Sequence, residues 1–283
     1  MRVAVNKIIP FSSVDGPGNR TAVFLQGCNI NCRYCHNPET RGMCRGCGVC
    51  VESCPKGALS LETSEEGAAV VYDETKCVSC DTCIHVCPFD SSPRTALMSP
   101  EEVYGRVKKQ IPFIRGITVS GGECMLHPDF LCRLFALAKA DGLGTLIDSN
   151  GTVDFSDFPE LLSVTDGVML DIKAFSGEDH RRITDHDNKT VLKNAAFLAE
   201  RGKLFEVRFV IVPDLYDGEK SVRQAAAFLR PLLSFGHFRI KLIAYRSMGV
   251  REAFSHCRTP SYEELCALSD MLREQGFDDI III

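Results

Sequence analysis

Three cysteines, Cys28, Cys32 and Cys35, stand in the spacing C-x3-C-x2-C within GCNINCRYCHN. Three thiolates on one short loop can hold three irons of a 4Fe–4S cube and leave the fourth iron without a protein ligand. An open coordination position is what a metal centre needs to bind and transform a substrate. The plainer alternative is a zinc site completed by His36, but zinc ligands usually come as two separated pairs. Further on, Cys44, Cys47, Cys50 and Cys54 precede Pro55, and Cys77, Cys80, Cys83 and Cys87 precede Pro88. Both runs read C-x2-C-x2-C-x3-C-P. Zinc knuckles would need neither the third cysteine of each run nor the trailing proline.

The paired spacing resembles that of bacterial two-cluster ferredoxins, in which the fourth cysteine of each run ligates the other cluster. The resemblance implies one cube on Cys44, Cys47, Cys50 and Cys87 and a second on Cys54, Cys77, Cys80 and Cys83, working as an electron relay. Of the fifteen cysteines, Cys132, Cys257 and Cys266 fall in or beside helical patterns and read as structural. So many cysteines without a recognisable export signal at MRVAVNKIIPF point to a reducing compartment and a cytoplasmic enzyme. No stretch approaches the roughly 20 apolar residues of a membrane helix. A formal charge of −5, with no basic stripe, argues against nucleic acid as a partner.

The elements that must position these cysteines fall into three regions: residues 1–41, 42–98 and 99–283. The apolar run from Thr21 to Leu25 ends at Gly27 and Cys28, reading as a buried strand that delivers the first loop. Residues 42–98 hold the repeated cysteine runs and lack long periodic segments, and neither repeat could bury a core of useful size, so ligation must supply much of their folding free energy. From Ser99-Pro100-Glu101-Glu102, a helix start with cap and first-turn acids, apolar strands alternate with helices. Strands are expected at 116–122, 145–151, 167–173, 204–212 and 238–245, with helices near 128–140, 178–201, 219–234 and 260–275. The terminal run through Ile283 reads as an edge strand or a docking segment. Strand and helix in alternation imply a parallel sheet covered on both faces, with chemistry at the carboxyl ends of the strands. About six β/α units are countable, which predicts an open, partial barrel.

The loop from Cys28 to Cys35, with Tyr34 before its last cysteine, resembles the signature loop of the radical S-adenosylmethionine (SAM) superfamily. The resemblance implies a partial (β/α)6 radical SAM barrel, here with an inserted ferredoxin-like domain at 42–98. It also implies SAM bound at the open iron and cleaved reductively to methionine and a 5′-deoxyadenosyl radical. Ser120-Gly121-Gly122-Glu123 resembles the superfamily's GGE motif, implying Gly121, Gly122 and Glu123 at the SAM amino group.

With Asp15-Gly16-Pro17-Gly18 upstream, the opening is similar to that of glycyl radical enzyme activating enzymes. That family implies SAM contacts from Asn150 and Lys173, and a monovalent cation, Na+ or K+, near Asp148, Ser149, Met169 and Asp171. It implies partner-segment binding by Asp15, Gly16, Pro17 and Gly18. Where the family commonly carries a histidine after its sixth strand, Arg246 stands here as a SAM contact. Cys124 replaces the usual proline after GGE, as a small buried hydrophobe or a reactive thiol. Arg208 is expected to face the cleft. Two cysteine runs, VSGGE, DSNG and MLDIKAF together resemble the YjjW-type branch, whose partner is a YjjI-type glycyl radical protein. A monomer taking electrons from flavodoxin or ferredoxin is expected. A radical SAM enzyme acting directly on a small molecule would need neither the DGPG loop nor an open barrel mouth. A simple electron carrier would leave residues 99–283 unexplained.

Overall fold

Runs of β-branched and other apolar residues, each bounded by glycine or a polar turn, build one large sheet. A computed structural model describes residues 1–64 and 67–283. In chain order its elements are β1 (Val3–Ser12), β2 (Arg20–Leu25), α1 (Val49–Glu52), β3 (Leu59–Ser64), β4 (Gly67–Tyr72), α2 (Thr82–His85), β5 (Ala96–Met98), α3 (Pro100–Lys108) and β6 (Gly116–Gly121). They continue with α4 (Pro128–Ala140), β7 (Gly144–Ser149), α5 (Pro159–Ser163), β8 (Gly167–Asp171), α6 (Gly177–Thr184), α7 (Lys189–Glu200), β9 (Leu204–Ile211), α8 (Gly218–Leu229), β10 (Arg239–Ala244), α9 (Tyr262–Glu274) and β11 (Ile280–Ile282).

The sheet order is β11-β10-β9-β8-β7-β6-β2-β1-β5. All six expected strands are present and pair in parallel with one another. Three further strands extend them. β1 and β5 add an antiparallel margin beside β2, and β11 pairs in parallel with β10. β5 lies inside residues 42–98, so the end of that segment belongs to the main sheet. The helix expected over 178–201 is two, because Asp185 takes a left-handed φ of 62° and ends α6. α3 starts as its sequence predicts, with a reciprocal capping box between Ser99 and Glu102.

Along β9 and β10, Val207, Phe209, Ile240 and Leu242 turn into the main apolar core. The intervening Glu206, Arg208, Arg239 and Lys241 share the opposite face, since side chains alternate along a strand. That face lies under the functional loops.

The cysteine-rich segment repeats itself in backbone as well as sequence. α1 and α2 each carry the third cysteine of a run, Cys50 or Cys83. Left-handed residues recur in the same order, Gly46, Gly48 and Gly57 in the first repeat and Ser79, Asp81 and Asp90 in the second. Its small core holds Cys50, Leu59 and Cys83 with a few partly buried neighbours.

Candidate active site

β2 and β6 run in parallel with Leu25 opposite Gly121, so the loops after them leave the same, carboxyl end of the sheet. A Cβ on Gly121 would lie 2.2 Å from the Leu25 carbonyl oxygen, and one on Gly122 would lie 2.1 Å from that of Gly27. No side chain fits there. This close approach lets the Glu123 N–H donate to the Gly27 carbonyl at 2.8 Å. The loop's backbone is then held from several sides. Cys28 N donates to the Arg41 carbonyl at 2.9 Å, while Asn31 N and Arg33 N donate to the last carbonyls of α6, at 2.9 and 2.8 Å.

Cys28, Cys32 and Cys35 line one cavity of about 220 Å3, with Tyr34 and His36 from the same loop. Gly121, Gly122, Asp148, Ser149 and Asn150 form another part of its wall, and Asp171, Lys173 and Arg208 a third. The carboxyl ends of β2, β6, β7, β8 and β9 thus converge as the strand pattern predicted. Burial pushes the thiols up, Cys28 to about 11 and Cys32 to about 12, with Cys35 also raised; the Lys173 ammonium opposes the shift in each. Bare thiols here stay protonated. A soft metal centre supplies the positive charge that thiolates in such a site require, and this donor set fits one.

Two ion pairs cross the cavity floor. Lys173 Nζ donates to Asp171 Oδ2 at 2.6 Å, and Arg208 Nη1 sits 2.9 Å from Asp148 Oδ2. Asp148 also accepts from Ser120 Oγ at 2.9 Å. Its carboxyl is raised by burial, against the lowering pull of Arg208. Lys173 is held well above the usual lysine value: burial works to lower it, and Asp171, Cys32 and Tyr34 together outweigh burial. Behind the floor, Arg208 is anchored by Glu206, a fully enclosed carboxylate that also accepts from Arg239 Nε at 2.7 Å.

Several expected site residues are placed differently. Glu123 is buried and does not line the cavity. Its carboxylate accepts from Met125 N, Ser149 Oγ and Asn150 N, at 2.9, 2.9 and 2.7 Å, tying the ends of β6 and β7 together. Burial pushes it up to about 7. Met169 is also enclosed, and its Sδ accepts from Arg208 Nη2 at 2.9 Å. The four residues expected around a cation are therefore engaged with Arg208, Lys173 and Glu123. Arg246 is exposed and not among the residues lining the cavity, but it adjoins the rim: its backbone N–H donates to Nε2 of His36, which does line it, at 3.5 Å. Asp15, Gly16, Pro17 and Gly18 precede β2 and so lie at the amino end of the sheet, opposite the cysteine loop. There Thr118 Oγ donates to the Asp15 carbonyl at 2.5 Å and Lys241 Nζ to the Val14 carbonyl at 3.4 Å. Cys124 is fully buried, and its Sγ donates weakly to the Val119 and Asp148 carbonyls.

Among the described residues no three His, Cys, Asp or Glu side chains close on a single ion position. A cube places its ligands on separate corners, so spread thiols are what it takes. A second, smaller cavity is lined by Cys54, Cys77, Cys80 and Cys83, bringing the last cysteine of the first run to three of the second. Cys50 is raised to about 11, by burial first and then by Cys44, Cys83 and Cys47 around it.

The family model described as the radical SAM superfamily matches residues 22–226. The chain belongs to the radical SAM superfamily. Its match takes in the cysteine loop, the glycine pair and the strand ends that line the cavity. The chain is 31% identical to a putative glycyl-radical enzyme activating enzyme of Haemophilus influenzae, over 99% of this chain and 97% of that one. It is 32% identical to a pyruvate formate-lyase-activating enzyme of Streptococcus mutans, over 87% of this chain and 78% of the relative. Among solved structures it resembles QueE from Escherichia coli, at a TM-score of 0.57 and 12% identity over 100% of this chain and 94% of that one, a likeness of fold. These relatives set the chain among radical SAM activating enzymes, which generate radicals by cleaving SAM with a 4Fe–4S cluster. Among the described residues, no helix is long and apolar enough to cross a membrane.

Sequence reasoning missed Arg41 and Arg251, which no local pattern flags, and Glu206. The alternation in LFEVRFVIV carried a signal for the last, since Glu206 and Arg208 stand two apart and share a strand face.

Proposed function

We propose that the protein activates a partner glycyl radical enzyme, with Cys28, Cys32 and Cys35 ligating the cluster that cleaves SAM. The observation carrying this reading is the single cavity in which three thiols meet paired opposite charges at the ends of β7, β8 and β9. When bound, cluster and SAM supply one-electron cleavage of the sulfonium to methionine and a 5′-deoxyadenosyl radical, which takes hydrogen from a glycine Cα.

The chain's own residues bind and orient. Gly121 and Gly122 leave backbone room beside the cysteine loop. Lys173 and Arg208 are the cations for an amino-acid carboxylate, and Asp148 and Asp171 the anions for its ammonium. A monovalent cation at these carboxylates would have to displace Arg208 or Lys173. Glu123 acts behind this wall by fixing Ser149 and Asn150.

In this reading residues 42–98 are a ferredoxin-like insertion with two accessory cubes, one on Cys44, Cys47, Cys50 and Cys87 and one on Cys54, Cys77, Cys80 and Cys83. They relay electrons from flavodoxin or ferredoxin in the cytoplasm. The repeated backbone turns around the two runs support it, as does the meeting of Cys54 with the second run. The paired runs, with VSGGE, DSNG and MLDIKAF, support a reading as a YjjW-type activase that acts as a monomer on a YjjI-type partner.

The test is anaerobic mixing of the iron-loaded protein with SAM, reductant and a YjjI-type glycyl radical protein, read by electron paramagnetic resonance. A glycyl doublet that vanishes with Cys32→Ala is expected. SAM cleavage with no doublet on the partner would overturn the activation reading.

A further inference from the structure

One carboxylate of the cysteine-rich segment reaches the cluster loop through two arginines. Asp90 stands three residues after the last cysteine of the second run. Its Oδ2 accepts from Arg41 Nη2 and, at 3.5 Å, from Arg251 Nη1. Arg251 comes from the far side of the sheet, beyond β10, and its Nη2 donates to the Cys32 carbonyl at 2.8 Å. The Arg41 carbonyl accepts from Cys28 N, and Arg41 is among the residues lining the cavity of the three thiols. The loop is therefore held at Cys28 by the Arg41 backbone and at Cys32 by the Arg251 guanidinium, and the side chains of these two arginines share one counter-charge.

The backbone here is built for that meeting. Gly42 N donates to the Asp90 carbonyl at 2.8 Å, and a Cβ on Gly42 would lie 2.1 Å from the Phe89 carbonyl oxygen. Asp90 is left-handed, with φ of 46°, at the position that Gly57 fills in the first repeat. A side chain has been kept where the repeat elsewhere uses glycine, and such conformations persist where the surroundings over-determine them. The Nε atoms of Arg41 and Arg251 are buried with no hydrogen-bond partner among the described residues. Among the described residues, Asp90 is the only carboxylate paired with either guanidinium.

We propose that Asp90 is a positioning residue that holds Arg41 and Arg251 against the loop of Cys28, Cys32 and Cys35, and that these two cations tune the reduction potential of the cluster bound there. The inference rests on the reading that this loop holds the superfamily's 4Fe–4S cluster. Reduction adds a negative charge to a cluster, and local charge and hydrogen bonding are the protein's means of tuning its potential. Asp90→Asn removes an anion and favours the reduced form. Arg251→Gln removes a cation and favours the oxidised form.

The measurement is a redox titration of the iron-loaded full chain, without partner, following the paramagnetic signal that changes on adding SAM. At a poise fixed at the parent's midpoint, the reduced-to-oxidised ratio should rise several-fold in Asp90→Asn and fall several-fold in Arg251→Gln; a tenfold change corresponds to about 59 mV for a one-electron couple. Asp90→Glu should stay at the parent's midpoint. A merely structural role would move both charge variants in the same direction, and that result, or no shift in either, would overturn the proposal. Should Asp90→Asn lose the signal, Asp90→Glu decides: the parent's midpoint upholds charge pairing, and loss of the signal there too refutes it. Absence of a glycyl radical on a partner leaves this readout untouched.

Discussion

Glu206 shows how much one residue can carry. Its carboxylate is wholly enclosed, pairs with Arg208 and Arg239, and has Lys241 Nζ at 4.0 Å. Removing one partner of a buried ionic group strands the others, so Glu206→Ala should cost about 3–5 kcal/mol. Urea unfolding of the metal-free chain checks this, and an unchanged midpoint would refute it. Glu123 predicts a pH dependence. Burial raises its folded-state value from 4.5 to about 7, so the folded protein holds a proton that the unfolded chain releases across that window. Stability from this group is therefore fully present at pH 4 and falls as pH rises to about 7, by at most about 3 kcal/mol. Glu123→Gln, which stays neutral, should flatten that part of the stability profile; an unchanged slope would show that another group produces it.

At the scale of elements, helix ends do much of the positioning. The carbonyls of Ile183 and Thr184, at the end of α6, accept from Arg33 N and Asn31 N of the cysteine loop. Asp185 ends that helix left-handed, and its Oδ2 accepts from Asn31 Nδ2 at 2.9 Å. Valine is strained in that conformation, so Asp185→Val should lower stability by about 1–2 kcal/mol, whereas Asp185→Gly loses the side-chain bond alone. Thermal melts of the two variants separate the effects; equal melting temperatures would mean that backbone strain is not the cause. At α3 the cap is local, and Ser99→Ala should lower stability by about 1 kcal/mol in the same assay.

At the scale of the molecule, two parts differ in what holds them. The nine-stranded sheet has a continuous apolar core on its helix-covered face. Among the described residues, the small apolar cluster of the cysteine-rich segment is built on Cys50, Leu59 and Cys83, and two of those are ligands of the proposed cubes. Iron removal should therefore loosen residues 44–94 and leave β6 to β10 intact. Hydrogen exchange with and without iron reads this directly; equal protection of both regions in the metal-free chain would contradict it.

What the sequence determined by itself was what local chemistry dictates. The cysteine spacing, the glycine pair at 121–122, the six parallel strands and the Ser99 cap all depend on near neighbours or on strand periodicity, and each was legible. Only the tertiary structure decided which distant charges meet. Arg251 joins Asp90 and Cys32 from the end of the chain, and Arg208 takes Asp148 and Met169 where a free cation was expected. The same holds for Glu123, which a motif places at the ligand and packing places behind the wall. Direction along a strand is written in local pattern. The pairing of charges across strands depends on register and loop path, which no single stretch of sequence contains.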